Sequence, residues 1–235
     1  MVEIGGKPIL WHIMKGFSSY GINDFIVCCG YKGYVIKEYF ANYFLHTSDV
    51  CFDMSDHSTT VLNQKTEPWR VTLIDTGATT LTGGRLLRIE KYLNNAEPFC
   101  FTYGDGVSDV NVDRLVELHK SRGLLATVTA VNPPGRYGAL KVDSSGNVIE
   151  FAEKPTGGGG LINGGFFVLE PEVLKYIDGD NISFENEPVS NLVIDKQLGI
   201  FTHHGFWHPM DTLRDKNHLN KLWENGAAPW KTWDM

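Results

Sequence analysis

Positive charge is in short supply in this chain. Its 21 Lys and Arg stand against 28 Asp and Glu, a net charge of −7. A nucleic-acid partner requires a basic face, so that class is excluded. Any anionic small molecule must then be held by a few well-placed cations and a metal. Cysteine is equally sparse: the four, at 28, 29, 51 and 100, show no Cys-x-x-Cys spacing and follow no signal-peptide pattern. Reduced, mostly buried thiols in a cytoplasmic protein are expected. Missing too is any apolar run near the roughly 20 residues that span a bilayer, so no membrane partner is expected. What remains is an ordinary globular composition, 42% hydrophobic and 21% charged over 235 residues, enough for one sizeable core.

The front of the chain is short of something as well. An α/β nucleotide-binding domain normally opens with a strand and a glycine-rich loop. Here Met1-Val-Glu-Ile4 and Gly5-Gly-Lys-Pro8 lead straight into helical periodicity at Ile9, Leu10, Ile13, Met14 and Phe17, stopped by Gly21. Gly5-Gly6-Lys7 reads as a turn, because no strand precedes it and its spacing fits no phosphate loop. Strands and helices then alternate: strand 23–29, helix 35–44, strand candidates 50–54, 60–65 and 70–75, a helix entered at about Gly84, strand 99–103, helix 112–122 and strand 126–131. That rhythm predicts a single α/β domain over 1–235, a Rossmann-like, mostly parallel mixed sheet flanked by helices. A β-hairpin is predicted around Ser144-Ser-Gly146, within a sugar-binding hairpin region at 132–170. A return strand follows at 163–169, and residues 224–235 read as a C-terminal tail.

Asp105 stands between Gly104 and Gly106 at the end of the 99–103 strand. In an open α/β sheet, ligands sit outside the carboxyl ends of the strands, and flanking glycines let a bulky ligand approach the backbone. A plain Gly-Asp-Gly turn is the competing reading. The 75–88 loop offers the hydroxyls of Thr79, Thr80 and Thr82 together with Arg85 and helix amides, either a cradle for part of a nucleotide or a capped helix start. Taken alone, Asp211 reads as a helix cap for 213–223 and Lys154 as a solvated cation. His203 and His204 point to opposite faces of an apolar run, and at least one is expected to be structural.

Five segments occur in a telling order: Gly5-Gly-Lys-Pro8, Tyr103-Gly-Asp-Gly106, Tyr137-Gly-Ala139, Glu153-Lys-Pro155 and Ile162-Asn-Gly-Gly-Phe166. The ordered set, spread over nearly the whole chain, resembles the sugar-1-phosphate nucleotidyltransferases. Cys29-Gly-Tyr-Lys-Gly-Tyr34, Pro133-Pro-Gly-Arg136 and Ala228-Pro-Trp-Lys-Thr-Trp233 resemble the branch that transfers a cytidylyl group to glucose 1-phosphate. The resemblance implies CTP and glucose 1-phosphate as substrates, CDP-glucose and pyrophosphate as products, and a role in supplying activated sugars for surface polysaccharide. It implies Mg²⁺ held by Asp105 and Asp211, and Lys154 as the cation on the sugar phosphate. Glu153 and Asn163 are implied at the sugar hydroxyls, with Gly138 and Gly164 admitting the ring to the backbone. Thr80, Arg85 and Gly104 would border the nucleotide. A homo-oligomer is implied too.

Members of that family begin with a strand and a glycine-rich loop containing an arginine, followed by a lysine, and none of these has a counterpart in the sequence. The expectation is a sheet short of an interior strand, with unpaired edges beside the gap, and impaired catalysis, since one lost electrostatic donor commonly costs ~10²–10³ in rate. A fragment or misassigned start and a naturally shortened relative are both compatible with this. A non-catalytic sugar-nucleotide-binding or oligomer-forming relative, or another sugar-1-phosphate nucleotidyltransferase, is the alternative function. A metal-dependent glycosyltransferase would carry two aspartates one residue apart at the strand end, where this chain has Gly-Asp-Gly.

Overall fold

The computed structural model describes residues 1–63, 66–93, 97–133, 139–142, 148–152 and 160–233, the segments 139–142 and 148–152 by their backbone only. The chain opens with a two-residue ladder, β1 (Glu3–Ile4) and β2 (Lys7–Pro8), closed by Gly5 and Gly6 at φ 56° and 75°. Gly5-Gly6 is therefore a turn, as its spacing predicts. Helix α1 (Ile9–Ser18) follows, burying Ile9, Trp11, His12, Ile13, Met14 and Phe17 on one stripe. Strand β3 (Asp24–Cys29) leads to α2 (Gly33–Ala41) and α3 (Tyr43–Thr47). The predicted 35–44 helix is thus broken at Asn42, whose φ of −105° and ψ of 16° leave the helical region.

The candidate strands at 50–54 and 60–65 exist, but not in the main sheet. They form an antiparallel hairpin, β4 (Asp49–Asp53) with β5 (Ser58–Leu62), exposed along almost its whole length. Then come β6 (Arg70–Asp75), α4 (Thr82–Ile89), β7 (Phe99–Thr102), β8 (Gly106–Ser108), α5 (Val112–Arg122) and β9 (Ala126–Val131). Helix α5 matches its predicted bounds because both ends are signalled. The Asn111 side chain accepts from the Arg114 amide at 2.9 Å, and Gly123 takes the left-handed conformation at φ 59°. The predicted hairpin is β10 (Ala139–Val142) with β11 (Val148–Ala152). The chain continues through β12 (Ile162–Leu169), α6 (Glu187–Ile194), β13 (Leu198–His203), β14 (Trp207–Pro209) and α7 (Leu213–Glu224).

The central sheet is mixed. β13 runs parallel to β9, and β12 runs antiparallel to both β9 and β7, giving the order β13-β9-β12-β7. β3 and β6 form a separate parallel pair. Among the described residues β3 and β7 share no ladder, and each is hydrogen-bonded along one edge only. Side-chain alternation sends successive residues to opposite faces. Cys100, Phe166 and Val168 pack with α1, α5 and α7 on one face. Phe101, Phe167 and Leu169 pack with Leu86 and Ile89 of α4 and with Phe184 and Leu192 on the other. Each fully buried Phe or Leu of this kind stabilises the fold by roughly 1.5–3 kcal/mol.

All four cysteines are free, but Cys51 is exposed on β4 rather than buried. Burial pushes the Cys28 and Cys100 thiols up to about 11, which keeps them protonated and unreactive. No helix among the described residues is long and apolar enough to cross a membrane.

Candidate active site

The end of β7 turns through Tyr103, Gly104 and Asp105 into β8, and β8 pairs antiparallel with β14, Gly106 opposite Pro209. The Asp105 carbonyl accepts the Met210 amide at 2.7 Å. Asp105 therefore precedes one strand of this short ladder and Asp211 closely follows the other, which brings together two carboxylates 106 positions apart in sequence. At the far end of the ladder His203 Nε2 lies 2.9 Å from Asp109, and Ser108 donates to the Phe206 carbonyl at 2.8 Å. His203 is thus the structural histidine of its pair, and His204 is exposed.

Both aspartates are open to solvent. The Asp105 carboxyl is nevertheless held above the usual carboxylate range, first by desolvation against the cleft wall and then by the charge of Asp211. Two like charges facing each other are relieved by a cation between them. Mg²⁺ fits this donor set, since it takes one or two carboxylates and leaves its other positions to water and phosphate oxygens. Among the described residues no group of three His, Cys, Asp or Glu side chains offers a fuller cage. Asp211 is not the cap of α7. That cap is Thr212, whose hydroxyl accepts from the Asp215 amide while Asp215 accepts from the Thr212 amide, a complete capping box.

Asp105 lines a shallow cleft of about 270 Å³ with Tyr103, Asn163, Gly164, Trp207 and Pro209. A Cβ at Gly104 would meet no atom within 4 Å, so the fold leaves open space where the sequence has no side chain. Gly164 differs. A Cβ there would lie 2.8 Å from Val131 and 3.0 Å from the Thr129 carbonyl, so strand packing alone accounts for it, and its carbonyl accepts the Trp207 indole N–H at 2.7 Å. The exposed Asn163 side chain accepts from the Gly165 amide at 2.8 Å.

A second group lies on the 75–88 segment. The Arg85 guanidinium lies over the Gly30 backbone, just past β3, and donates to the Thr76 hydroxyl at 2.6 Å. Thr80 is buried beside Gly77. Helix α4 starts at Thr82 rather than near Gly84, and two of the amides at its start are already used. Leu81 donates to the Asp180 carbonyl and Gly83 to the Ile182 carbonyl, each at 3.0 Å. Arg85 adds positive charge on this side. Gly138, Glu153 and Lys154 lie outside the described residues.

The two groups are joined by Glu185, which no motif or periodicity marks in the sequence. Its carboxylate accepts from Thr82 on one side, at 2.6 Å, and from Tyr103 on the other. Asp105, Asn163, Gly164 and Asp211 thus share one region, with Gly104 at its edge, while Thr80 and Arg85 belong to the 75–88 side.

The family described as Nucleotidyl transferase matches residues 1–198. The chain is 58% identical over 234 residues to a glucose-1-phosphate cytidylyltransferase of Salmonella typhi, covering 100% of this chain and 91% of that one. It is 44% identical to a probable glucose-1-phosphate cytidylyltransferase of Bacillus subtilis, covering 99% of this chain and 91% of the relative. Among solved structures, HddC from Yersinia pseudotuberculosis superposes with a TM-score of 0.65 at 22% identity, over 95% of this chain and 88% of that one. A putative glucose-1-phosphate thymidylyltransferase from Bacillus anthracis does so at 0.65 and 15% identity, over 97% and 85%. At these identities the structures establish the fold.

Proposed function

The chain belongs to the nucleotidyl transferase family, and from that premise we propose that it transfers the cytidylyl group of CTP to α-D-glucose 1-phosphate. A phosphate oxygen of the sugar phosphate attacks the α-phosphorus, the bond to the β-phosphate oxygen breaks, and CDP-glucose and pyrophosphate leave. The observation that carries this reading is the 58% identity, over the full chain, to relatives of that activity.

Such a step needs alignment and charge cancellation more than covalent chemistry. Asp105 and Asp211 would hold Mg²⁺, which when bound offsets the crowded negative charge of the phosphates. Gly104 leaves room for the nucleotide beside Asp105. Arg85, with Thr80 behind it, supplies charge on the nucleotide side. Asn163 orients the sugar hydroxyls, and its own side-chain oxygen is held by the Gly165 amide. Lys154 is assigned to the sugar phosphate, with Glu153, Gly138 and Gly164 around the ring. A cytoplasmic homo-oligomer is the proposed setting, and the apolar residues exposed on the β4–β5 hairpin, Phe52, Val61 and Leu62, support self-association.

The test is pyrophosphate release from CTP and glucose 1-phosphate with Mg²⁺. Wild-type protein should turn over, and Asp105→Asn or Asp211→Asn should lower kcat/KM by ~10²–10³. A folded wild-type sample that releases no pyrophosphate would sink catalysis by this chain. Asp105→Asn should not lower the unfolding midpoint at neutral pH. A carboxyl whose pKa is raised by folding destabilises the folded state above that pKa, and the amide removes this cost.

A further inference from the structure

We propose that Glu185 is a positioning residue that locks the nucleotide side and the sugar side of the site into one rigid unit. The proposal rests on the cytidylyltransferase reading above. The segment before α6 is stitched to the start of α4: Leu81 and Gly83 donate to the carbonyls of Asp180 and Ile182, and the Phe184 amide donates to the Thr82 hydroxyl at 2.9 Å. The approach is close enough that a Cβ at Gly83 would lie 2.7 Å from the Ile182 carbonyl oxygen and one at Gly84 2.5 Å from that of Asp180. This contact delivers the half-buried Glu185 side chain to a point between α4 and the end of β7.

Its two oxygens are divided. Oε2 accepts from Thr82, two residues after Thr80 and three before Arg85, and Oε1 accepts from Tyr103, two residues before Asp105. No cation pairs with Glu185 among the described residues. Two neutral hydroxyls are thus its only partners there, and for mere stability a neutral acceptor would avoid desolvating a charge. What the carboxylate alone provides is direction. It accepts and never donates, so both hydroxyls must point their protons at it. Tyr103, held in this way, lines the cleft together with Asn163. Asn163 is fixed from the other side, its side-chain oxygen accepting from the Gly165 amide at 2.8 Å. Glu185 therefore fixes the Tyr103 wall of the cleft that the sugar-side Asn163 also lines, while anchoring the start of α4 between Thr80 and Arg85.

The test compares wild type with Glu185→Gln, Tyr103→Phe and the double variant by steady-state pyrophosphate release, varying each substrate separately. In Glu185→Gln a donor replaces one acceptor and the direction is lost. KM for glucose 1-phosphate should rise about tenfold, the cost of one mismatched hydrogen bond, with kcat changed far less. Tyr103→Phe should produce the same rise, and the double variant no more than either alone, because both remove one shared chain of bonds. A structural role would instead lower the melting temperature and leave both KM values in place. Wild-type turnover with an unchanged KM in Glu185→Gln, or additive losses in the double variant, would overturn this proposal alone. Absence of wild-type turnover would overturn the cytidylyltransferase reading and this proposal together. If Glu185→Gln does not fold, Tyr103→Phe decides: a wild-type KM for glucose 1-phosphate in that variant overturns the proposal.

Discussion

His12 should make this protein sensitive to mild acid, in a window that its surroundings define. The ring is 1% exposed on α1 and meets Trp223 edge-on, with centroids 4.6 Å apart. Nε2 lies 2.8 Å from the Ile4 carbonyl oxygen, so it carries the proton and donates. Nδ1 then accepts from the Trp230 indole N–H at 3.4 Å. A second proton on Nδ1 would face a donor. Burial is the main cause that pushes His12 down from 6.5 to about 4, and the Lys7 charge adds to it against the opposing effect of the Ile4 carbonyl. The unfolded chain takes up a proton as pH falls through about 6.5, whereas the folded chain does not until about 4. Stability is therefore lost between those values, and at roughly 1.4 kcal/mol per pKa unit the limit is about 3 kcal/mol. Urea unfolding followed by tryptophan fluorescence at pH 7 and 4.5 measures this directly, with Trp223 and Trp230 beside the ring as reporters. His12→Gln keeps a donor and an acceptor but does not titrate. Its deficit relative to wild type at pH 7 should shrink by about 2–3 kcal/mol at pH 4.5. A deficit that is the same at both pH values would refute the reasoning.

Two further substitutions test local features that hold the site's framework. Gly5 has φ +56°, and a Cβ there would lie 2.0 Å from Trp223 Cδ1. Gly5→Ala should therefore cost about 2–4 kcal/mol through backbone strain and displacement of the indole, read as a fall of roughly 5–10 °C in the melting temperature. Thr212→Ala removes the capping hydroxyl of α7 immediately after Asp211 and should cost about 1 kcal/mol. Calorimetry with Mn²⁺ as the probe should also show weaker metal binding in that variant, because the turn that orients Asp211 is loosened.

The fold was readable wherever one local signal coincided with one buried face. Helix α5 announces itself by Asn111, a 3.6-residue stripe and Gly123, and β9 by six β-branched or small residues that are buried throughout. The reading failed where tertiary context decides. β4 and β5 have the composition of sheet strands but lie in a hairpin that the main sheet never receives. β8 and β14 are three residues each, too short to carry a period. Glu185 has no pattern around it, and its partners lie 103 and 82 residues away. Glycine was the most ambiguous signal. Gly104 and Gly164 both invite a ligand-approach reading, yet only Gly104 faces open space, while Gly164 is required by the packing of β12 on β9.

The β8–β14 ladder explains why Asp105 stands out by its own local pattern and Asp211 only through the family resemblance. A carboxylate at the end of a strand, between glycines, is a local pattern. A carboxylate pair is a property of the ladder that joins them, and this one is held at both ends by contacts far apart in sequence. The Met210 amide is bonded to the Asp105 carbonyl at one end, and His203 meets Asp109 at the other. Desolvation first and the Asp211 charge second raise the Asp105 carboxyl, so the approach of the two aspartates is imposed by the backbone around them and is not a favourable contact of their own. The near end depends on α7 beginning at Thr212, because a helix capped by Asp211 itself would commit that carboxylate to backbone amides. By taking the capping role, Thr212 and Asp215 spare the Asp211 carboxylate from capping α7, which the proposed sharing of a cation with Asp105 requires. The requirement that another residue cap the helix is thus part of the proposed metal site, although neither capping residue would touch the metal.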